Sequence, residues 1–279
     1  MGPVLDALRS QGLEVGHGLT TKAGDEARLT LEAIGQGYRT IVAVGGDGTW
    51  SNVGNAILGS GVRARLGLVP GGTGCDLAKS LGIPPRDVRG CARIVSDGHV
   101  RRIDVGRIEN RHFLNIAGFG YDVAVLEDSW NVAYLEGPLL YLYCALRQLG
   151  SFPGFSIEMA ADAAPARKRD LLMLVIANAR VFGGGFQIAP AADLGDGQLD
   201  AVAFGNMGFF ARLRIMQRLL AGTHGASANV ESTRVRRLTL RFPKPPAYET
   251  DGEWNRAGSA QIHVESVPAA LDVLVPASA

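Results

Sequence analysis

Two glycine-rich turns hold the residues of this sequence whose types and spacing are best suited to phosphate chemistry. The first turn reads GGDGT over residues 45–49 and follows an apolar run at 41–44. The second reads PGGTGCD over residues 70–76 and follows a similar run at 66–69. If both runs are parallel strands, the turns share one crevice at the strand carboxyl ends, where helix N-termini offer free N–H groups to anions. Taken alone, either turn is also compatible with a simple bend into a helix.

Several side chains in and near these turns could bind a nucleotide or a cation. Asp47 could meet a magnesium ion on nucleotide phosphates or an incoming hydroxyl, or could only form the turn. Thr49 and Thr73 offer hydroxyls to phosphates or cap their helices. A separate segment at 193–198 places two carboxylates three residues apart beside a carbonyl group, a set that suits a hard cation but also a plain turn. The predicted nucleotide-binding residues are Gly45, Gly46, Asp47, Gly48, Thr49, Gly71, Gly72, Thr73 and Gly74.

The elements that position these residues change character near residue 100. Before it, the pattern alternates helix and strand: helices at 4–8, 27–34, 50–58, 73–81 and 86–96, with strands at 13–19, 41–44 and 66–69. This alternation predicts a parallel sheet. After it, short strands are predicted at 101–108, 112–117, 155–160, 171–178, 199–204, 234–242, 261–265 and 271–275, with helices at 134–149 and 209–220. We therefore predict an α/β class chain, with a parallel-sheet domain at 1–100 and a mainly antiparallel β-sandwich or open barrel at 101–279.

Composition is typical of a globular enzyme. Of 279 residues, 47% are apolar and 20% are charged, and the net charge is +1. This balance excludes a largely disordered chain and gives no field that favours nucleic acid. The three cysteines are too scattered for a disulfide framework or a zinc site, and no apolar run approaches the roughly 20 residues that cross a bilayer. We predict a cytoplasmic protein, at most peripheral at the inner membrane surface.

The predicted helix at 209–220 has an apolar stripe that allows two interpretations. Phe209, Leu213, Met216 and Leu220 form the stripe, opposite Arg214 and Arg218. Such a helix either packs on the core in the ordinary way or lies on a membrane surface, and the first is the commoner arrangement.

Six segments together resemble the diacylglycerol kinase catalytic family, which includes sphingosine and ceramide kinases and is distantly similar to NAD kinase. They occur in family order along nearly the whole chain: 45–49, 70–84, 113–122 (FLNIAGFGYD), 178–185 (NARVFGGG), 196–200 (DGQLD) and 250–253 (TDGE). The resemblance implies a Rossmann-like, NAD-kinase-like domain followed by a β-rich lipid-substrate domain, whose last strand is able to return to the first domain. It also implies an active site in the cleft between the two.

The implied activity is an ATP- and Mg²⁺-dependent lipid kinase, which transfers the γ-phosphate to a lipid hydroxyl at a membrane surface, most simply that of diacylglycerol. The resemblance makes Asp251 and Glu253 the candidates for the base that accepts the hydroxyl proton, beside Asp47. It also implies a structural magnesium held by Asp193, Asp196 and the carbonyl of Gln198. No GK[ST] loop and no protein-kinase HRD or DFG motif is present.

The sequence departs from the family at three places. Family members usually begin with a strand and an Asn-Pro loop, whereas this chain starts at about the following helix, so the sequence either starts late or lacks its first strand. Ser51 and Asn52 stand where the family usually has Asn-Glu, and Cys75 stands where it usually has asparagine. Two further hypotheses therefore stay open: a soluble NAD-kinase-like phosphotransferase, and a pseudo-kinase that binds nucleotide or lipid without turnover.

Overall fold

The first hundred residues fold as an α/β unit built on two parallel strands. The computed structural model describes residues 2–22, 24–72, 74–132, 135 and 137–277. The elements of this part are α1 (Gly2–Ser10), α2 (Asp25–Gly35), β1 (Thr40–Gly45), α3 (Asp47–Gly59), β2 (Arg65–Pro70), α4 (Asp76–Ser80) and α5 (Val88–Asp97). Strands β1 and β2 pair in parallel from Thr40↔Arg65 to Gly45↔Pro70. The predicted parallel arrangement and the helix after each strand are confirmed.

The strand predicted at 13–19 is wrong. This segment has no regular secondary structure, although Leu13 and Val15 pack against the core of the α/β unit. A strand needs a neighbour whose N–H and C=O groups complete its ladder. In the described part of the chain, β1 pairs only with β2, and no other strand runs beside residues 13–19. Leu13 and Val15 are thus partly buried without a ladder, and Leu19 is exposed.

The rest of the chain is dominated by antiparallel strands. They are β3 (Val100–Ile108), β4 (Arg111–Phe113), β5 (Ile116–Gly120), β6 (Phe155–Ala161), β7 (Arg167–Ala177), β8 (Leu199–Gly205), β9 (Val230–Val235), β10 (Arg237–Arg241), β11 (Ala247–Thr250), β12 (Glu253–Arg256) and β13 (Gln261–Leu274). The predicted strand at 112–117 is divided into β4 and β5, and the one at 234–242 into β9 and β10. Strands β11 and β12 were not predicted, because each has only four residues and too short a pattern to recognise.

One long strand joins the two parts into a continuous curled sheet. The strands predicted at 261–265 and 271–275 form the single strand β13, with a register shift between Val267 and Leu271. Its first half pairs with β10, and its second half pairs in parallel with β2 through Asp272↔Arg65 and Val273↔Leu66. The bulge bends the strand so that it serves both parts. The last strand therefore returns to the first part of the fold, whereas the linear limits 1–100 and 101–279 stay a prediction.

Three helices cover the antiparallel strands. They are α6 (Tyr121–Ser129), α7 (Gly137–Ser151) and α8 (Phe209–Ala221), followed by a short 3₁₀ turn at His224–Ala226. Helices α7 and α8 agree with the predictions, except that Tyr134, where the first was predicted to begin, lies outside the described residues. Helix α6 was not predicted. Its sequence has two acidic residues among its last three and no clear apolar stripe.

Three apolar clusters hold these layers together. One fills the α/β unit and also includes Leu114, Ala179 and Leu194 from the later strands and loops. The second lies inside the curled sheet, and the third lies beneath α7 and α8. Because buried apolar residues from both parts share the first cluster, the two parts cannot separate without exposing apolar surface to water. This shared core fixes the loops around residues 114 and 179 against the glycine turns.

Candidate active site

The two glycine turns lie side by side at the carboxyl ends of β1 and β2. The amide N–H of Gly71 donates to the carbonyl of Gly45 at 2.8 Å, which extends the β1–β2 ladder into the turns. A Cβ atom on Gly72 would lie only 2.7 Å from the Cα of Gly46. Glycine at 72 is therefore required by contact between the turns, in addition to any approach of a ligand.

Helix α3 begins directly at the first turn and is fixed on β1. The indole Nε1 of the fully buried Trp50 donates to the carbonyl of Ala43 at 3.2 Å. Within the described residues, the amide N–H groups of Gly48 and Thr49 have no acceptor. Free N–H groups in the first turn of a 13-residue helix carry partial positive charge. This helix end can therefore receive an anion, as the sequence predicted.

Asp47 joins the first turn to the second. Its Oδ2 accepts the N–H of Asp76 and its Oδ1 accepts the N–H of Leu77, both at 3.2 Å. These bonds cap α4, so the first amides of that helix are already occupied. Burial raises the pKa of the Asp47 carboxyl, and the nearby Asp76 carboxylate raises it further, against the effect of the two amide bonds. A bound cation would relieve this crowding of negative charge.

Asp76 is a site residue that the sequence analysis did not single out. It is buried, and its oxygens accept from Lys79 Nζ and from the N–H of Gly184, each at 2.8 Å. Lys79 Nζ also donates to the Gly184 carbonyl at 2.7 Å. These contacts attach the second turn to the 183–185 glycine loop, a segment that belongs to the family series. The sequence signal that pointed to Asp76 was its position as the last residue of the PGGTGCD run.

Asp251 and Gly252 form a tight two-residue hairpin turn between β11 and β12. Their φ angles are 52° and 87°, as a type I′ turn requires. The carboxylate of Asp251 is buried and accepts three backbone N–H groups, from Leu114 at 2.9 Å, Asn115 at 2.8 Å and Ile116 at 3.1 Å. Burial raises the pKa of Asp251, and these amides together with Ser51 lower it. The geometry gives Asp251 the task of holding the 114–116 loop rather than facing a substrate.

Glu253, two residues later, faces the first glycine turn. A Cβ atom placed on Gly48 would lie 2.6 Å from Glu253 Oε1. Glu253 is exposed, so a solvent-borne or membrane-borne molecule can reach it. The structure thus brings Glu253 and Asp47 to the same turn, and it separates Asp251 from them. The catalytic roles of all three stay predictions.

Thr49 and Cys75 complete the two turns. The side chain of Thr49 packs where a Cβ on Gly45 would lie, at 2.6 Å from the Thr49 Oγ1. Cys75 has a φ of 53°, in the left-handed region where asparagine is favoured over most residues and cysteine is strained. Thr73 lies outside the described residues. Gly74 stands beside Asp47, since its Cβ would lie 3.1 Å from Asp47 Oδ2.

The two altered positions in α3 face the other part of the fold. Ser51 is fully buried, and its hydroxyl is near enough to Asp251 to lower the pKa of that carboxyl. Asn52 Oδ1 accepts from Arg111 Nη2 at 2.9 Å. These residues therefore serve the contact between α3 and the antiparallel sheet.

A pair of buried carboxyls, Asp122 and Glu249, lies behind the Asp251 hairpin. Oδ2 of Asp122 and Oε1 of Glu249 both approach Gly118, where any side chain would collide with Asp122, and neither oxygen has a donor in the described residues. A single proton held by this pair would give both oxygens a partner. Burial raises the pKa of Asp122 to about 7 and that of Glu249 well above its ordinary value, to which the charges of Asp122 and Asp251 add. Glu249 Oε2 accepts the N–H of Gly252 at 3.1 Å, so the pair supports the hairpin.

The shared proton makes stability depend on pH. An aspartic acid in the unfolded chain has an ordinary pKa of 3.8, whereas the pKa of Asp122 in the folded protein is about 7. Between these two pH values the native pair keeps a proton that the unfolded carboxyls have released. We expect the free energy of unfolding to fall across this window by up to about 1.4 kcal/mol per pH unit from this pair. Glu249→Gln should flatten that slope, because the amide donates to Asp122 without a shared proton.

Denaturant unfolding of both proteins at several pH values measures the difference. Glu158→Gln, an exposed change on β6, is the matched control and should leave the slope as it is. Equal slopes in the wild type and Glu249→Gln would show that the two carboxyls titrate independently.

The candidate cation segment at 193–198 lies apart from the glycine turns and is attached to β3. The Asp193 carboxylate accepts from Arg101 Nη2 at 2.6 Å and from the N–H of Gly195 at 3.1 Å. Oδ1 of Asp196 accepts the N–H of Gln198 at 2.9 Å. Among the described residues, no group of three or more His, Cys, Asp or Glu is placed to hold a metal ion. The predicted set has only two carboxylates and a carbonyl, and its role stays a prediction.

Comparison with known proteins gives two adjoining family matches. Residues 2–108 match the diacylglycerol kinase catalytic domain, and residues 115–275 match the YegS C-terminal NAD kinase beta sandwich-like domain. A diacylglycerol kinase of Bacillus subtilis (strain 168) is 30% identical over 261 residues, which cover 91% of this chain and 84% of that protein. A probable lipid kinase YegS-like of Pseudomonas putida is 32% identical over 256 residues, or 86% of this chain and 85% of that protein.

Solved structures agree on the fold. A putative diacylglycerol kinase from Bacillus anthracis str. Sterne superposes with a TM-score of 0.79 at 19% identity, covering 98% of this chain and 90% of that one. An NAD kinase from Archaeoglobus fulgidus, solved in complex with ATP, superposes with a TM-score of 0.54 at 10% identity, covering 98% and 88%. The predicted α/β unit with a C-terminal β-sandwich-like part is thereby confirmed.

Proposed function

Because the chain belongs to the diacylglycerol kinase catalytic family, with a YegS-type C-terminal domain, we propose that it transfers the γ-phosphate of ATP to the hydroxyl of diacylglycerol. Family membership makes it a lipid kinase. The choice of diacylglycerol follows the names of relatives that are 29% and 30% identical to this chain. The observation that carries the proposal is the position of Glu253, whose carboxylate faces the N-terminal turn of α3 beside Asp47.

In the proposed reaction, the N-terminal turn of α3 binds the phosphates of ATP. The free N–H groups of Gly48 and Thr49 supply hydrogen bonds, and the helix end supplies positive potential. Glu253 accepts the proton of the lipid hydroxyl while the hydroxyl oxygen attacks the γ-phosphorus of ATP, and ADP leaves. Asp251 takes no part in proton transfer, and it positions Glu253 by fixing the hairpin on the 114–116 loop.

The donor set beside the first turn fits a magnesium ion that arrives with the nucleotide. Mg²⁺ is usually held by one or two carboxylates together with substrate phosphates. Asp47 provides one carboxylate, whose pKa is already raised by burial and by Asp76, so it gains from a neighbouring cation. When bound, magnesium would neutralise charge on the phosphates.

The test of the proposed function offers several acceptors to the purified protein. With labelled ATP and magnesium, we expect phosphatidic acid to form from diacylglycerol in mixed micelles, well above a no-enzyme control. Phosphorylation of NAD alone would favour the NAD-kinase-like hypothesis. Phosphorylation of another lipid alcohol, without that of diacylglycerol, would show that the proposed acceptor is wrong. Nucleotide or lipid binding without any product would support the pseudo-kinase hypothesis.

A second magnesium at Asp193, Asp196 and the Gln198 carbonyl is proposed as structural. All three ligands are oxygens, as a hard cation requires. Magnesium would compete there with the Arg234 guanidinium, whose Nη1 lies 3.9 Å from Asp196 Oδ2. We expect Mg²⁺ to raise the melting temperature of the wild type by several degrees, since a ligand that binds only the folded state stabilises it.

This increment should vanish in Asp196→Ala and persist in Asp97→Ala. Asp97 is an exposed carboxylate at the end of α5 and is the matched control. Differential scanning calorimetry with and without magnesium measures both. Equal increments in Asp196→Ala and the wild type would remove this site from the proposal.

A further inference from the structure

A polar cavity lies at the bend of β13, apart from the candidate active site. Its volume of about 700 Å³ is within the range of small-molecule sites. Its walls come from β3, the β6–β7 turn, the junction of β9 with β10, and the bend itself. Among the described residues, none from the glycine turns lines it, and neither does Glu253. The charged and hydroxyl residues that define what we term the β13 cavity are Arg107, Asp162, Arg236, Arg237, Glu265 and Ser266.

Two consecutive arginines, Arg236 and Arg237, line the same cavity because the backbone bends between β9 and β10. In a regular strand, consecutive side chains point to opposite faces. Arg236 lies in the bend, and β10 begins at Arg237. The bend is held by Asp162 of the β6–β7 turn, whose Oδ1 accepts the N–H of Arg236 at 3.0 Å and that of Arg237 at 2.9 Å. The backbone contacts thus fix two guanidinium groups at one cavity.

The carboxylates of the β13 cavity leave positive charge available. Three arginines and two carboxylates line it, so one positive charge is in excess. Glu265 accepts from Nη2 of Arg107 and lies 3.9 Å from Nε of Arg237, too far for a hydrogen bond. Within the described part of the chain, no carboxylate pairs with the side chain of Arg236. Arg236 and Arg237 can therefore both bind an anion.

Ser266 gives an independent indication of a ligand. Its Oγ is buried and has no hydrogen-bond partner among the described residues, although Ser266 lines the cavity. Its backbone N–H donates to the carbonyl of Arg236 at 2.9 Å, so this residue adjoins the arginine pair. A buried hydroxyl without a partner costs free energy and is uncommon in folded proteins. An oxygen of a ligand in the cavity would accept the hydroxyl proton of Ser266.

The donors of the β13 cavity match a phosphate group on a small soluble molecule. Guanidinium groups bind phosphate through paired N–H···O bonds. A phosphate monoester has three terminal oxygens, one more than a carboxylate, and can accept from two guanidinium groups and a hydroxyl together. An acyl chain would find little to pack against, because no leucine, isoleucine, methionine or aromatic residue of the described chain lines the cavity. The chemistry therefore favours a soluble phosphate ester over a phospholipid.

The exposed part of the predicted α8 stripe lies elsewhere. Phe209, Leu213 and Leu220 are exposed, so the stripe does not simply pack on the core. None of these three residues lines the β13 cavity. In the part of the chain that the structure describes, no helix is long and apolar enough to span a membrane. The apolar surface of α8 and the polar cavity are thus separate features.

We propose that the β13 cavity binds a soluble phosphate ester, with Arg236 and Arg237 on the phosphate oxygens and the Ser266 hydroxyl donating to the same group. Ser266 directly precedes the register shift of β13, which begins at Val267. Beyond the shift, β13 pairs with β2, the strand that leads into the second glycine turn. The ligand would therefore bind on the strand that joins the two parts of the fold. This inference is independent of the proposed function, because no residue of the proposed phosphoryl transfer takes part in it.

The test is isothermal titration calorimetry of the full chain with inorganic phosphate and with glycerol 3-phosphate, without ATP and at constant ionic strength. We expect both ligands to bind. Arg236→Gln with Arg237→Gln should weaken binding about tenfold or more, since a hydrogen bond to a charged group contributes at least about that factor. Both side chains are exposed, so this variant should fold. The matched control, Arg93→Gln with Arg241→Gln, removes two exposed charges from α5 and the end of β10 and should bind as the wild type does.

Ser266→Ala separates a ligand-binding role from a structural one. Without phosphate, the variant should melt at the same temperature as the wild type or higher, because it removes a buried hydroxyl that has no partner. Its affinity for both ligands should fall about two- to tenfold, the usual contribution of one hydrogen bond.

Two results would overturn the inference. Equal affinities in the wild type, Ser266→Ala and the Arg236/Arg237 variant would show that phosphate binds at the α3 amides instead. Phosphatidylcholine vesicles that contain phosphatidic acid provide the lipid form of the same group. Arginine-dependent binding of these vesicles, without binding of either soluble ligand, would show that the cavity does not take a soluble ester.

Discussion

A Glu253→Gln protein is expected to bind ATP with nearly unchanged affinity and to phosphorylate lipid about 10² to 10⁴ times more slowly than the wild type. The amide keeps the size and polarity of the side chain but cannot accept the proton of the attacking hydroxyl. Because Glu253 is exposed and holds no buried group in place, the change should leave the free energy of unfolding within about 0.5 kcal/mol of the wild type. Single-turnover phosphorylation, ATP titration and denaturant unfolding give the three quantities.

A double-mutant cycle makes the prediction specific to the geometry. An alanine at position 48 would place its Cβ 2.6 Å from Glu253 Oε1, so Gly48→Ala should displace the carboxylate and slow turnover. In a Glu253→Gln background the same change should add little, because the proton acceptor is already gone. Gly59→Ala, at the other end of α3 with no atom within 4 Å of the added Cβ, is the control and should be neutral in both backgrounds.

Asp251 provides the contrasting result. Its Oδ1 accepts the N–H groups of Asn115 and Ile116, and its Oδ2 accepts that of Leu114. In Asp251→Asn the amide nitrogen replaces Oδ2 and faces the buried Leu114 N–H, so the variant should lose about 1.5 to 3 kcal/mol of folding free energy for that hydrogen bond to a charged group. Its turnover, once corrected for the folded fraction, should fall less than that of Glu253→Gln. A stable Asp251→Asn protein without activity, together with an active Glu253→Gln protein, would show instead that Asp251 is the proton acceptor and that Glu253 is not.

Local sequence patterns were sufficient for the glycine turns and the strands that lead into them. An apolar run that ends in glycines predicts a strand and a turn from neighbouring residues alone. The same holds for α3, whose N-terminal turn follows directly from the GGDGT segment. The relation between the turns was also predictable, because parallel strands place their carboxyl ends at one edge of a sheet.

Contacts between distant residues decided the features that were missed. The two carboxylates of the TDGE segment look equivalent in sequence, and only the loop at 114–116, more than 130 residues earlier, occupies one of them. The Asp122–Glu249 pair arises because β5 and β11 are neighbours, with Glu249 opposite Gly118. Likewise, residues 13–19 have a strand pattern, but a strand forms only where a partner is present. In each case the missing information was the tertiary neighbour.

Asp47→Asn is expected to reduce turnover about 10²- to 10³-fold, which corresponds to a loss of about 2.7 to 4 kcal/mol of transition-state stabilisation for one preorganised polar group. The variant removes the negative charge beside the phosphates while Oδ1 of asparagine still accepts one amide of α4. Loss of the second cap bond should lower stability by about 1 kcal/mol at most. Removal of the repulsion between Asp47 and Asp76 acts in the opposite direction.

The magnesium dependence of this variant separates the two roles of Asp47. If the carboxylate helps to hold the cation that arrives with ATP, the variant should need more magnesium for half-maximal activity, and saturating magnesium should restore only part of the rate. Asp87→Asn is the matched control, since Asp87 caps α5 through the N–H of Gly90 at 2.8 Å and lies in a different loop. An Asp47→Asn protein with the wild-type rate and magnesium requirement but lower stability would show that this residue only joins the two turns. The nucleotide would then depend on the α3 amides alone, and Glu253 would be the single carboxylate of the site with a chemical task.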